Sequence, residues 1–506
     1  TIRLLVRAGS SADPKDRAGL ATLAAALLDQ GTTTRSAEQI ANSIDSIGGA
    51  LGAGSGSDLT FVNAVVMKDS FNFVLDLVSD VTRNPAFAPE EIERQRQQIL
   101  SGLKVSYEDP DYIAGVVFDR LVYGFHPYGR PDSGTPQSLA SISRDDLVSF
   151  HKTWFGANNA ILAIVGDVTA EEAFAGAERA FGKWEKSEIQ PSKPQDLPPP
   201  VRRVVVIDRP GAVQTEIRAG NVALPRKHPD YLALDLAMKI LGGEGGNRLH
   251  RVLRSERGLT YGASADVHAL KDGGDLVAET DTRYETTAEA LRLLVDELWR
   301  LQRQRVEQRE LADAQAYLTG NFPLTIETPS AIALQVLNAI FYGLDLNELQ
   351  TFRERVNAVT VDDIQRVAKQ YLHPDRLSIV LVGDASVFAK QLPGVGFEQF
   401  ERVPLSDLDL TAADLRRPGS QRSTPGAADR GGIHPISYRS DRTEPVKDLV
   451  DRAIRAKGGL DKLRSVRTVK MVSTTTVIDS KLSGGRLDVP TTTFIRYPGA
   501  FRVDAE

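Results

Sequence analysis

Apolar residues recur along this chain with two periods. The opening "TIRLLVRAGS" alternates apolar and polar positions, as does "VRTVKMVSTTTVI" near the end, and both read as strands. In 285–318, Leu291, Leu294, Val295 and Leu298 repeat at helical spacing and predict one face turned to a core. The larger pattern occurs twice. "ISRDDLVSFHKTWFGANNAILAIVGD" (142–167) and "VTVDDIQRVAKQYLHPDRLSIVLVGD" (359–384) align without a gap. Each predicts a helix N-capped by Ser143 or Thr360, a short loop, and an apolar strand ending in Gly-Asp. Segments 71–100 and 285–318 repeat a helix–loop–helix pattern more weakly.

This duplication sets the domain plan. Two α+β halves, 1–187 and 203–403, each predict a mainly antiparallel sheet with helices on one face. The Pro-rich stretch 188–202 reads as a stiff linker between them, and 404–445, rich in Gly, Pro, Ser and Arg, as a flexible one. Residues 446–506 then predict an amphipathic helix closed by Gly458-Gly459 and a strand, an incomplete C-terminal α+β module. Both ends fall within strand-like sequence, so the chain is expected to be part of a longer protein, and the lack of a leader says nothing about compartment.

Composition removes several classes. The net charge of −6 is spread with mixed signs, which gives no electrostatic case for nucleic acid. No apolar run is long enough for a transmembrane helix. With no cysteine, disulfides, thiolate catalysis and Cys-ligated zinc are excluded. Of the 7 histidines, none has another three to five residues away, and neither H-E-x-x-H nor H-x-x-E-H occurs. His126, in the Pro/Gly turn "YGFHPYGRP", reads as structural. No G-x-S-x-G is present. The Gly-rich "GGALGAGSGSD" (48–58) and "LGGEGGNRL" (241–249) lack the phosphate-loop pattern, and the first fits a strand or sheet edge better. The acidic pairs Glu90-Glu91, Asp145-Asp146 and Asp362-Asp363 stand at helix starts, where they complement the dipole.

One stretch is harder to dismiss. In "RVLRSERGLTYG" (251–262), Gly258 suits the left-handed end of a helix, and Val252, Leu253 and Leu259 suit packing. Arg254 and Tyr261 flank the turn. Taken alone, the first is a cation at a helix C-terminus and the second a packed ring.

The repeated halves, the Pro-rich linker and "LHRVLRSERGLTYG" together resemble the M16 (pitrilysin-like, inverted-zincin) metallopeptidase family over about residues 1–400. "RAGSSADPKDRAGLATLAAALLDQGT" (7–32) and "FHPYGRPDSGTPQSLASIS" (125–143) resemble further family segments. In active members the first carries H-x-x-E-H. Here Thr22 and Ala26 fall at the histidines, Ala25 at the catalytic glutamate and Gly102 at the third ligand. None of these side chains ligates zinc or activates water. Gly52 falls where a substrate-binding asparagine is often seen.

The family also uses an Arg and a Tyr in its C-terminal half to hold the substrate near the scissile carbonyl, and Arg254 and Tyr261 match their spacing. The resemblance therefore implies the non-zinc subunit of a heterodimeric peptidase: half of a clamshell chamber, with no cofactor in this chain. Zinc is expected in a partner chain carrying H-x-x-E-H, and a peptide is the expected substrate. A non-catalytic assembly or peptide-binding protein is the alternative, and a self-sufficient zinc endopeptidase a third reading. "AIRAKGGLDKLRSVRTV" resembles the opening of bacterial envelope modules, which implies periplasm or cell envelope.

Overall fold

In a computed structural model, the chain is described over residues 1–189, 195–243, 246–419, 468–478, 486–496 and 500–505. It divides into two units, Thr1–Asp429 and Arg430–Glu506. In the second unit, β11 (Thr468–Ile478), β12 (Arg486–Arg496) and β13 (Ala500–Ala505) form an antiparallel meander. The strand expected in "VRTVKMVSTTTVI" is present, while the helix expected over 446–466 lies outside the described residues.

Two further sheets lie in the first unit, and the protein is α+β as its pattern predicts. β1 (Ile2–Val6), β2 (Ala50–Ser55), β3 (Thr60–Val65) and β4 (Ala160–Ile164) form an all-antiparallel sheet of order β2-β3-β1-β4. β5 (Arg203–Asp208), β6 (Gln214–Ala223), β7 (Ala263–Ala269), β8 (Gly274–Arg283), β9 (Ser378–Gly383) and β10 (Glu401–Pro404) form the other, of order β10-β5-β9-β6-β8-β7. Its β10, β5 and β9 run parallel, so this sheet is mixed. The repeated helices Arg144–Trp154 and Val361–Tyr371 carry matching capping boxes at Ser143 and Thr360, because each hydroxyl accepts an otherwise orphaned N–H.

Alternation along the strands buries both faces. Val204, Val206, Ile217, Ala219, Ile379 and Leu381 face the helices of their own half. Val205, Ile207, Val277, Val380 and Val382 point the other way, onto a helix lent by the first half. That helix is Pro110–Tyr123, and its Ile113, Val117, Phe118 and Leu121 share their core. The loan is returned, since helix Pro329–Tyr342 of the second half packs against β1 and β4. At the hairpin ends, Asp58 accepts from Tyr128 Oη at 2.6 Å and from the Lys271 N–H at 2.8 Å, joining the β2–β3 turn to the β7–β8 turn.

Residues 404–415 stay with this fold. Leu408, Leu410 and Leu415 bury themselves beside the lent helix, and Arg120 Nε donates to the Leu410 carbonyl at 2.9 Å. Residues 404–419, read on composition as part of a flexible linker, therefore cover a core through about Leu415. Leu408, Leu410 and Leu415, spaced without a helical period among Asp, Arg and Pro, leave little trace of a core.

Candidate functional site

Arg254 sits on a short π-helix, His250–Glu256. Such wide turns are rare and occur often at functional sites. Asn247 starts it, its Oδ1 accepting the His250 N–H at 2.7 Å. Arg248 anchors it from behind by a bidentate pair with Glu310, at 2.6 and 2.7 Å. Gly258 ends it at φ +62°, where a side chain would be strained. Val252, Leu253 and Leu259 are buried as packing residues.

The turn that follows is pinned on both sides. Thr282 Oγ1 donates to the Leu259 carbonyl at 2.7 Å, and Thr280 Oγ1 to the Gly262 carbonyl at 2.8 Å. Thr260 Oγ1 also donates to the Gly262 carbonyl and accepts the Gly262 N–H. Between these fixed points the Tyr261 side chain projects outward, 82% exposed. Its hydroxyl has no hydrogen-bond partner among the described residues. Arg254 is exposed too, and no carboxylate there pairs with it.

Both side chains line one cavity of about 620 Å³, together with His250, Asp111, Glu216, Glu279 and Asp281. Arg218 neutralises two of these acids, reaching Asp111 at 2.7 Å and Glu279 at 3.4 Å. Glu216 has no such partner among the described residues. Burial, aided by Asp281 and Asp111, pushes its carboxyl up to about 7. The cavity thus offers donors on one wall and carboxylates on the other. A guanidinium and a phenol can together hold a peptide carbonyl or a developing oxyanion.

Sequence reasoning singled out Arg254 and Tyr261 but passed over His250 and Glu216. The histidine stands four residues before Arg254, one helical turn away, which was a usable signal. Glu216 alternates with buried residues along β6 and reads as a solvent-face residue, which hides its place in a cavity.

The other singled-out positions lie apart. Gly52 is on β2, an outer strand of the first sheet, opposite Asn63, and is not part of this cavity. Thr22, Ala25 and Ala26 belong to helix Leu20–Ala26, whose first N–H groups are capped by the Asp13 carboxylate. This helix packs against helix Pro89–Ser106, which carries Gly102. Thr22 spends its hydroxyl on the Asp132 carbonyl, at 2.6 Å, and Ala25 is fully buried. These residues do not fit a zinc ion, for none offers an imidazole or carboxylate. Among the described residues no group of three or more His, Asp or Glu side chains could hold a metal. His126 is buried, and its Nδ1 accepts the Tyr128 N–H, a structural contact.

Comparison with known proteins places the chain in a family. Residues 1–129 match the family described as insulinase (peptidase family M16), and residues 141–318 the M16 peptidase inactive domain. The chain belongs to the M16 peptidase family. An uncharacterized zinc protease of Mycobacterium tuberculosis is 28% identical over 376 residues, 74% of this chain and 85% of that one. Among M16 structures, a peptidase M16 inactive domain from Pseudomonas fluorescens has a TM-score of 0.71 at 28% identity, covering 76% of this chain and 92% of its own. A chain of complex III2 from Candida albicans, bound to Inz-5, shares the fold at TM-score 0.65 and 14% identity, covering 78% and 94%.

Proposed function

We propose that this M16 chain is the non-zinc subunit of a two-chain peptidase, forming one wall of the chamber and presenting Arg254 and Tyr261 to an extended peptide. One observation carries the reading. Tyr261 is 82% exposed rather than packed, and Arg254, a cation in the last turn of its helix, lines the same cavity without a carboxylate partner among the described residues. Both are nevertheless mounted on backbone fixed by Asn247, Gly258, Thr280 and Thr282. Rigid backbone holding free donors is what transition-state stabilisation asks for, because donors set in advance need no reorganisation as charge develops.

In this reading Arg254 and Tyr261 bind the substrate carbonyl, and Gly52 on outer strand β2 leaves room for a peptide to add alongside by strand pairing. An ideal Cβ at Gly52 would meet nothing within 4 Å. Zinc and the water-activating glutamate belong to a partner carrying H-x-x-E-H, since Thr22, Ala25, Ala26 and Gly102 supply neither.

The test is co-expression with such a partner. Peptidase activity should require both chains, and Arg254→Ala or Tyr261→Phe should lower kcat/KM by about 10²-fold. Unchanged activity in both variants would leave a non-catalytic assembly or peptide-binding protein.

A further inference from the structure

Within that proposed function, the orientation of the Arg254 guanidinium matters, and one polar contact sets it among the described residues. Its Nη1 lies 3.3 Å from Nε2 of His250, four residues earlier on the same π-helix. Both residues line the cavity. A guanidinium only donates hydrogen bonds. The contact therefore requires a lone pair on Nε2, which means a neutral imidazole with its proton on Nδ1. A protonated His250 would present an N–H and a positive charge to another cation, and attraction would become repulsion.

We propose that His250 is a positioning residue: neutral, it holds Arg254 in place for substrate, and protonated, it releases it. The inference rests on the reading that Arg254 contacts substrate. The charged neighbours on the π-helix are Arg251 and Glu256. Asp266 lies on β7 and Glu289 and Glu297 on helix Thr287–Arg303, the two elements packed against the π-helix. Across the cavity stand Asp111, Glu216, Glu279 and Asp281. None of them hydrogen-bonds to His250 among the described residues. Asp111 and Glu279 are paired with Arg218 and Glu216 holds its proton below about 7, so a released guanidinium would turn toward Asp281 or solvent.

Two measurements test this. Crystal structures of this chain at pH 8 and pH 5 should show the His250–Arg254 contact at the higher pH and not at the lower. His250→Gln, whose amide oxygen accepts at either pH, should keep it at both. An unchanged Arg254 rotamer in the wild-type chain at both pH values overturns the proposal. In the two-chain peptidase, His250→Phe should lower kcat about tenfold at pH 8. The ratio of wild-type to His250→Gln kcat should fall about tenfold as the pH drops from 8 to 5, which cancels any acid limb owed to the partner. A flat ratio also overturns the proposal. If Arg254→Ala leaves activity intact, the proposed function falls instead, and the crystal structures still judge the switch.

Discussion

At the scale of single residues, the site combines fixed backbone with uncommitted side chains, and Glu216 shows what such a cavity costs. Its folded carboxyl titrates near 7, because burial and the neighbouring Asp281 and Asp111 oppose its charge. An unfolded glutamate titrates near about 4.3. Between these values the folded chain binds the extra proton, so this contribution to stability is present at low pH and is lost as pH rises through about 7. Glu216→Gln should therefore raise the melting temperature clearly at pH 8 and little at pH 4, below the unfolded value, as scanning calorimetry at the two values would show. Equal gains at both would place the cause elsewhere. A second residue-scale expectation concerns Asp58, which is buried and joins two hairpin turns. Asp58→Ala leaves the Tyr128 hydroxyl and the Lys271 N–H without this acceptor, and should cost about 2–4 kcal/mol in urea unfolding.

At the scale of elements, the π-helix, the Gly258 turn and β7 act as one bracket. Gly258→Ala places a Cβ at φ +62° and should destabilise by about 1 kcal/mol. Its effect on peptidase activity should be larger than that loss implies, because Arg254 and Tyr261 lie on opposite sides of the strained turn. Measuring stability and kcat/KM on the same variant separates the two. Much of this bracket was legible in the residues. The glycine, the three packing positions and the strand after Tyr261 follow from local chemistry, and so do the caps at Ser143 and Thr360. The π form was not legible, since its widened turn depends on Asn247, Arg248 and the distant Glu310. Nor was the destination of helix Pro110–Tyr123. An apolar stripe announces burial, but Ile113 and Phe118 do not say which sheet they will cover.

At the scale of the molecule, the exchanged helices make two sequence repeats into one folded unit. Phe118 lies in the first half of the chain and is 1% exposed among valines of the second. Phe118→Ala should cost about 3–5 kcal/mol and lower a single unfolding transition. Cleavage within the Pro-rich linker should leave both halves together in size-exclusion chromatography; separation of the fragments would contradict the exchange. The same architecture imposes an order on synthesis. Helix Pro110–Tyr123 leaves the ribosome before any strand of the sheet it covers, and β1 and β4 wait for residues 329–342. The core that helix Pro110–Tyr123 shares with the second sheet, and the cover that residues 329–342 give β1 and β4, cannot form while the first half alone is outside, whereas the first half's own core draws on residues 2–180. The nascent chain carries an apolar helix without its complete sheet from Tyr123 until the strands up to Pro404 have emerged, the circumstance in which a chaperone or a slow ribosome has most to offer.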